Sequence, residues 1–94
     1  MYIDDFIWLP DIVEKLVVKH NVTQDEVEDI FFNSPRYRLV ESGNREGEDV
    51  YSASGQTDAG RYLIVFFIHK PGNTALIVSA RDMDKNERRR YEQK

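Results

Sequence analysis

The sequence predicts an α+β domain in which two N-terminal helices cover one face of an antiparallel sheet and a third helix follows the sheet. Three observations support this fold class. Apolar residues recur at helical spacing before Pro35, a period of two replaces that spacing afterwards, and a helix-capping pattern reappears near residue 84. Helices grouped before a run of strands are typical of α+β proteins. The predicted order of elements is β-α-α-β-β-β-β-α.

The first third of the chain predicts one strand and two helices. The segment Tyr2–Leu9 is short and apolar enough for an edge strand, and Pro10 suits the first turn of the helix that follows. That helix should end near His20–Asn21, because asparagine tolerates left-handed backbone. Thr23 and Glu26 then have the spacing of a capping box, which predicts the start of the second helix.

Four more strands and one helix are predicted after Pro35. The strands are Tyr37–Glu41, Val50–Ser54, Tyr62–Ile68 and Ala75–Ala80. Since the third of these is apolar at every position, we expect it to be a central strand with both faces covered. The turn at 71–73 should join the last two strands in an antiparallel hairpin. A second capping pattern at 84–87 predicts a final helix that reaches about Gln93.

Composition limits the classes of function. A chain of 94 residues is the size of one domain, so we expect residues 1–94 to form a single unit. The absence of cysteine excludes disulfides, thiol nucleophiles and zinc–thiolate sites. The N-terminal segment lacks signal-peptide features, and no apolar run approaches the ~20 residues of a membrane helix. We therefore expect a cytoplasmic protein without membrane contact. The sequence predicts no metal site and no cofactor, because it has neither a metal-ligand spacing nor a phosphate-binding glycine loop.

Charge is distributed unevenly along the chain. The formal net charge is −4, but residues 1–32 carry −6 and residues 69–94 carry +3. This gradient permits nucleic-acid contact at one face only. On charge alone, a solvated helix surface is the simpler explanation of these charges.

Four segments, taken together, resemble the BrnT family. They are Lys19–Val27, Gly60–Phe66, Ile77–Met83 and Glu87–Tyr91. The resemblance spans residues 8–92 and implies a RelE-like fold with a curved antiparallel sheet. It also implies a ribonuclease toxin of a type II toxin–antitoxin pair that cleaves RNA without a metal, through attack by the 2′-hydroxyl. The implied partner is a BrnA-like ribbon-helix-helix antitoxin, with DNA reached only through that antitoxin.

Metal-free RNA cleavage needs a base, an acid and cations that stabilise the charged phosphorane. The candidate catalytic residues are His20, Arg61, Arg81 and Tyr91. An antiparallel hairpin places Arg61 and Arg81 at the same end of the sheet, where the last helix begins, so we expect one shared shallow site. The place of His20 in that site depends on the resemblance alone.

Each candidate also has a simpler structural explanation. His20 would then be a helix cap, Arg81 a partner in a salt bridge, and Tyr91 the residue that packs the last helix on the sheet. Further candidates for RNA binding are Lys19, Glu87 and Arg88, although the spacing of Glu87 also fits a capping box.

Three positions depart from the family pattern. Asn21 stands where the family usually has glycine, which asparagine can mimic in a left-handed position. Gln56 and Ala75 stand where many members of the resembled family carry arginine. The absence of these two arginines favours an alternative function, in which the chain is a catalytically degenerate module that binds an antitoxin and acts in co-repression.

Overall fold

The computed structural model describes residues 1–93 and has the predicted order of elements. The helices are α1 (Pro10–His20), α2 (Gln24–Phe32) and α3 (Lys85–Glu92). The strands are β1 (Asp5–Ile7), β2 (Arg36–Glu41), β3 (Val50–Gln56), β4 (Tyr62–Lys70) and β5 (Thr74–Asp82). They form one sheet in the order β1-β5-β4-β3-β2. Within the described residues, no helix is long and apolar enough to cross a membrane.

The sheet is mixed, and the prediction of a fully antiparallel sheet is wrong at β1. This strand pairs in parallel with β5, with Phe6 opposite Ala75, whereas the other neighbouring strands are antiparallel. The chain leaves β1 through two helices, so β1 is not bound by the hairpin connections that make the later strands antiparallel. It occupies the outer edge beside β5 and is shorter than Tyr2–Leu9.

The central position of β4 is confirmed, but its two faces are covered unequally. Leu63, Val65 and Phe67 are completely buried on one face. On the other face Ile64 is buried, whereas Phe66 and Ile68 are only half-buried. We call these the helix-pair face and the open face, respectively. Helices α1 and α2 pack on the helix-pair face, with α1 against β5 and α2 against β3 and β4.

Local sequence signals determine where the helices begin and end. Thr23 and Asp84 each accept a hydrogen bond from the backbone N–H three residues later, and the glutamate there bonds back to the cap, so both predicted capping boxes are confirmed. Helix α1 ends at His20 because Asn21 has left-handed backbone with φ of 52°, and its N–H bonds to the carbonyls of the last turn.

Helix α3 lies on the open face and has no buried residue. Tyr91 packs edge-on against Tyr62, with ring centroids 6.0 Å apart. Arg36 of β2 donates a hydrogen bond of 2.8 Å to the carbonyl oxygen of Gln93, just beyond the helix. Because so few contacts attach it, α3 shields the open face only in part and leaves a groove beside it.

Candidate functional site

An open groove of about 740 Å³ lies between β2 and α3 on the open face. Its floor includes two hydroxyls of β3, on Ser52 and Ser54, and two apolar side chains of β4, Ile64 and Phe66. The backbone alternation of each strand explains this grouping, since residues two apart point to the same face of a sheet.

The walls of the groove are rich in arginine. Arg36 and Arg38 contribute from β2, and Glu87, Arg90 and Tyr91 contribute from α3. Three guanidinium groups against one carboxylate make this a basic surface on a chain whose net charge is −4. We call the floor and these walls the arginine groove.

The strand register places a further arginine beyond the floor. Arg36, Ser54, Ile64 and Arg81 occupy directly opposed positions on β2, β3, β4 and β5, so they form one row across the open face. Each end of this row carries an arginine. Neighbouring strands lie ~4.8 Å apart, so the two arginine backbones are roughly 14 Å apart and their long side chains can approach a ligand from both sides.

Arg81 is held by Glu87, the residue that also completes the capping box of α3. Its two terminal nitrogens lie 2.6 and 2.8 Å from the two carboxylate oxygens, and its guanidinium lies 5.6 Å from the centroid of the Phe66 ring. The hydrogen bonds from Arg81 lower the pKa of Glu87, and those to Glu87 raise the pKa of Arg81. Both groups are therefore charged at neutral pH. The salt bridge expected as the simpler explanation for Arg81 is present.

Tyr91 and Arg88 both contact Tyr62, which begins β4. Tyr91 packs α3 on the sheet, and the Arg88 guanidinium lies 3.9 Å from the centroid of the Tyr62 ring. On its other side Tyr91 is 5.8 Å from the guanidinium of Arg36. The aromatic ring is thus fixed by packing, while Tyr91 also lines the arginine groove.

Arg61 lies on the helix-pair face and is fully engaged with the protein. Its guanidinium donates two hydrogen bonds to Asp82, at 2.8 and 3.1 Å, and further bonds to Glu26 and to the carbonyl oxygens of His20 and Asn21. These bonds raise the pKa of Arg61, with those to Asp82 contributing most. They connect the end of α1, the start of α2 and the end of β5, so Arg61 acts as a clamp within the fold.

The four candidate catalytic residues form two groups, which departs from the single site expected from the sequence. Arg61 and Arg81 do lie at the same end of the sheet, because Arg81 is opposite Ile64 and Asp82 is opposite Leu63. Their side chains diverge, however, because Arg61 binds Asp82 on the helix-pair face and Arg81 binds Glu87 on the open face.

His20 belongs to the first group and Tyr91 to the second. The pKa of Asp82 is lowered mainly by its hydrogen bonds from Arg61 and, to a smaller extent, by the charge of His20 nearby. The two groups meet at Asp82, whose carbonyl oxygen accepts a hydrogen bond of 3.3 Å from Arg81. Alternation along β5 therefore separated side chains that the hairpin topology had brought to one end of the sheet.

Three other positions from the sequence analysis do not line the arginine groove. Lys19 is exposed in the last turn of α1, which packs on the helix-pair face. Ala75 is completely buried and pairs with Phe6 of β1, so this position has no room for an arginine directed at RNA. Gln56 ends β3 and donates a hydrogen bond to the carbonyl oxygen of Gly60.

Sequence reasoning did not select the β2 arginines, the β3 serines or Arg90 as site residues. A signal was present: Arg36 and Arg38 flank Tyr37, and Ser52 and Ser54 flank Ala53, so each pair shares one face of its strand. What the pattern could not give is the register that aligns the two pairs.

A comparison with known protein families matches most of the chain. Residues 8–87 match the model of a family described as "Ribonuclease toxin, BrnT, of type II toxin-antitoxin system". The chain belongs to the BrnT family. No curated protein matches it. The matched range includes His20, Arg61, Arg81 and Glu87, whereas Arg88, Arg90 and Tyr91 lie beyond its end. Membership of a type II system implies that a BrnT protein has a protein antitoxin as its partner.

Among residues 1–93, no cluster of three or more histidine and acidic side chains could hold a metal ion. The chemistry available in the arginine groove is that of cations, one carboxylate, hydroxyls and a phenol.

Proposed function

We propose that this BrnT-family chain is a metal-independent endoribonuclease and that the arginine groove is where RNA binds. The observation that supports the groove most directly is the placement of Arg36, Arg38 and Arg90 around an open cavity, with Arg81 at the end of the same cross-strand row, in a chain of net charge −4. Arginine suits phosphate because its planar fork donates two parallel hydrogen bonds.

The proposed reaction is attack of the ribose 2′-oxygen on the adjacent phosphorus. The 2′-oxygen forms a new P–O bond, the bond to the 5′-oxygen breaks, and the products end in a 2′,3′-cyclic phosphate and a 5′-hydroxyl. A base removes the 2′-hydroxyl proton and an acid protonates the departing 5′-oxygen. Arg81 stabilises the charge that develops on the non-bridging oxygens.

Glu87 and Tyr91 are our assignments for proton transfer. The Glu87 carboxylate is ionised at neutral pH and can accept a proton, while the hydrogen bonds from Arg81 lower its pKa and so make it a weaker base than a free glutamate. Tyr91 lines the same groove and carries a phenolic O–H that can donate one. His20 is the alternative proton carrier, by the family resemblance, and belongs with Asp82 and Arg61 in the other group.

The partner that we propose is a BrnA-like ribbon-helix-helix antitoxin in the cytoplasm. Acidic side chains of the antitoxin would cover the arginine groove and α3, where Arg38, Arg88 and Arg90 are exposed. DNA would be contacted by the antitoxin and not by this chain.

A second function has one specific observation in its favour. Arg61 and Arg81, two arginines in the segments that resemble the family, both have internal carboxylate partners, at 2.8 and 2.6 Å. A chain whose signature arginines serve the fold would act only as an antitoxin-binding co-repressor.

RNA cleavage by the purified chain separates these two functions. We expect cleavage of single-stranded RNA in the presence of EDTA, with 2′,3′-cyclic phosphate ends. Arg81→Ala should lower the rate by about 10²–10³, as for the loss of one donor that stabilises transition-state charge. Arg89→Ala is the matched control, because Arg89 is an exposed arginine of the neighbouring helix α3 and does not line the groove as described. His20→Asn tests whether the group around Arg61 or the group around Arg81 transfers the proton. A loss of rate equal to that of Arg81→Ala would assign proton transfer to His20.

A chain that binds its antitoxin but leaves RNA intact would support the co-repressor instead. Circular dichroism of each variant shows whether the fold is retained.

A further inference from the structure

Two serine hydroxyls lie on the floor of the arginine groove. The side chain of Ser52 lines the groove although the residue is only 4% exposed, and Ser54 beside it is half-buried. In residues 1–93 neither hydroxyl has a hydrogen-bond partner from the protein, and no fully enclosed side-chain polar atom is left unpaired. Buried polar groups almost always have partners. The Ser52 hydroxyl is therefore open to the groove, where a ligand can supply the partner.

The strand register places an apolar side chain of β4 directly beside each hydroxyl. Ser52 is directly opposite Phe66, and Ser54 is directly opposite Ile64, on the neighbouring strand. Opposed side chains on one face of a sheet have Cβ atoms roughly 5 Å apart. The floor is thus a small square of two hydroxyls and two apolar side chains. Such a surface accepts a flat ring whose edge carries hydrogen-bonding atoms.

The rim adds a requirement for negative charge. Arg38 is opposite Ser52 and Arg36 is opposite Ser54, so each hydroxyl has an arginine as its neighbour towards the edge of the sheet. Arg90 approaches from α3. A ligand with a flat polar-edged ring and anionic groups attached to it has the chemistry of a nucleotide. The groove volume of about 740 Å³ lies within the range of small-ligand sites, ~300–1,000 Å³.

We propose that the arginine groove is a base-binding subsite for one unstacked nucleotide of single-stranded RNA. The base lies over Ile64 and Phe66, its polar edge bonds to the hydroxyls of Ser52 and Ser54, and the arginines of β2 bind the adjoining phosphates. This inference depends on the proposed function, since it places the substrate of that reaction. Proteins that recognise RNA sequence act mainly on splayed-out single-stranded bases, because the edges of paired bases are difficult to reach.

The serines then determine which base binds. A serine hydroxyl is both a donor and an acceptor, so two hydroxyls at fixed positions match some base edges better than others. Replacing a serine with alanine removes one hydrogen bond and leaves the groove shape nearly unchanged.

The experiment is a titration of the full chain with each of the four nucleoside 3′-monophosphates, followed by NMR of the backbone amides. These probes contain no internucleotide bond, so binding is measured without cleavage. We expect shifts of the amides of Ser52, Ser54 and Phe66, and stronger binding of at least one nucleotide. Ser52→Ala and Ser54→Ala should each lower the affinity for that nucleotide about fivefold to tenfold, as for one lost hydrogen bond. Each should also reduce the preference among bases. Ser79→Ala is the matched control, because Ser79 is opposite Phe66 on β5 but does not line the groove as described.

Several results would overturn the subsite. They are the absence of shifts with all four nucleotides, equal affinity in the serine variants and the wild type, and binding of an acidic peptide in the groove with no binding of nucleotides. Cleavage of RNA by a chain that fails this titration would reject the subsite and keep the proposed function. Nucleotide binding by a chain that never cleaves RNA would keep the subsite and reject the proposed function.

Discussion

The Nε atom of Arg61 lies 2.8 Å from Oδ1 of Asp82, and this contact joins the loop before β4 to the last residue of β5. The same guanidinium binds Glu26 and the carbonyl oxygens that end α1, so one side chain holds three elements together. Arg61, which the sequence predicts to be catalytic, therefore has a structural role in joining these elements.

Loss of this clamp should reduce stability. Arg61→Ala leaves Asp82 and Glu26 without their guanidinium partner, and we expect the free energy of unfolding to fall by about 2 kcal/mol, the range for hydrogen bonds to charged groups. Urea denaturation measures this change. Arg89→Ala, on the exposed surface of α3, should change the value by less than about 0.5 kcal/mol. Equal stability of the two variants would contradict the clamp.

The same ion pair predicts a dependence on pH. Hydrogen bonds from Arg61 hold the pKa of Asp82 below its ordinary value of about 4. A carboxyl with a lower pKa in the folded state contributes stability above its unfolded pKa and loses it as pH falls through the folded pKa. We expect unfolding free energy, measured by urea denaturation, to decline from about pH 4 downwards. Asp82→Asn should make this decline shallower, and an unchanged slope would show that Asp82 contributes nothing to it.

The N-terminus of α2 offers a test of local structure. Thr23→Ala removes the oxygen that accepts the Glu26 backbone N–H at 3.2 Å, and we expect a loss of about 1 kcal/mol. Thr23→Ser keeps the acceptor and should retain most of the stability. Thermal unfolding compares the three proteins. A Thr23→Ala variant that melts with the wild type would mean that the cap contributes little.

Tyr91 has two roles that one substitution can separate. Phenylalanine keeps the packing against Tyr62 and the contact with Arg36, whereas it removes the phenolic proton. If Tyr91 is the acid, Tyr91→Phe should keep its melting temperature and lose about 10²–10⁴ in cleavage rate, the usual contribution of general acid catalysis. RNA cleavage and calorimetry on the same preparation give both values. A variant that cleaves normally would limit Tyr91 to packing.

The affinity of the arginine groove for the antitoxin should depend on the salt concentration. We expect affinity to fall between about 0.1 and 1 M salt, because the screening length shortens from ~10 to ~3 Å. The double variant Arg38→Glu/Arg90→Glu should bind more weakly at low salt, and the corresponding change at Lys15 and Lys19 on α1 should not. Binding titrations at several salt concentrations provide the comparison. An affinity independent of salt would argue against acidic side chains at this interface.

Local patterns in the sequence were sufficient to predict the order of the elements and the start of each helix. Capping at Thr23 and Asp84, the left-handed asparagine after α1 and the apolar run of β4 all act between residues a few positions apart, and the structure has each of them where the pattern indicated. The hairpin geometry also placed Arg61 and Arg81 at one end of the sheet correctly, since it needs only the antiparallel turn between β4 and β5.

Which side chains meet depends instead on the packing of the whole fold. The parallel pairing of β1, the alignment of the β2 arginines with the β3 serines, and the capture of Arg61 by Asp82 all depend on register and on which face each residue takes. A strand pattern fixes which residues share a face, but not which strand lies beside it or which charged partner lies across from it. Those choices follow from packing the whole core at once, because Phe67 and the helix pair must be buried together before Arg61 and Arg81 can be assigned to opposite faces.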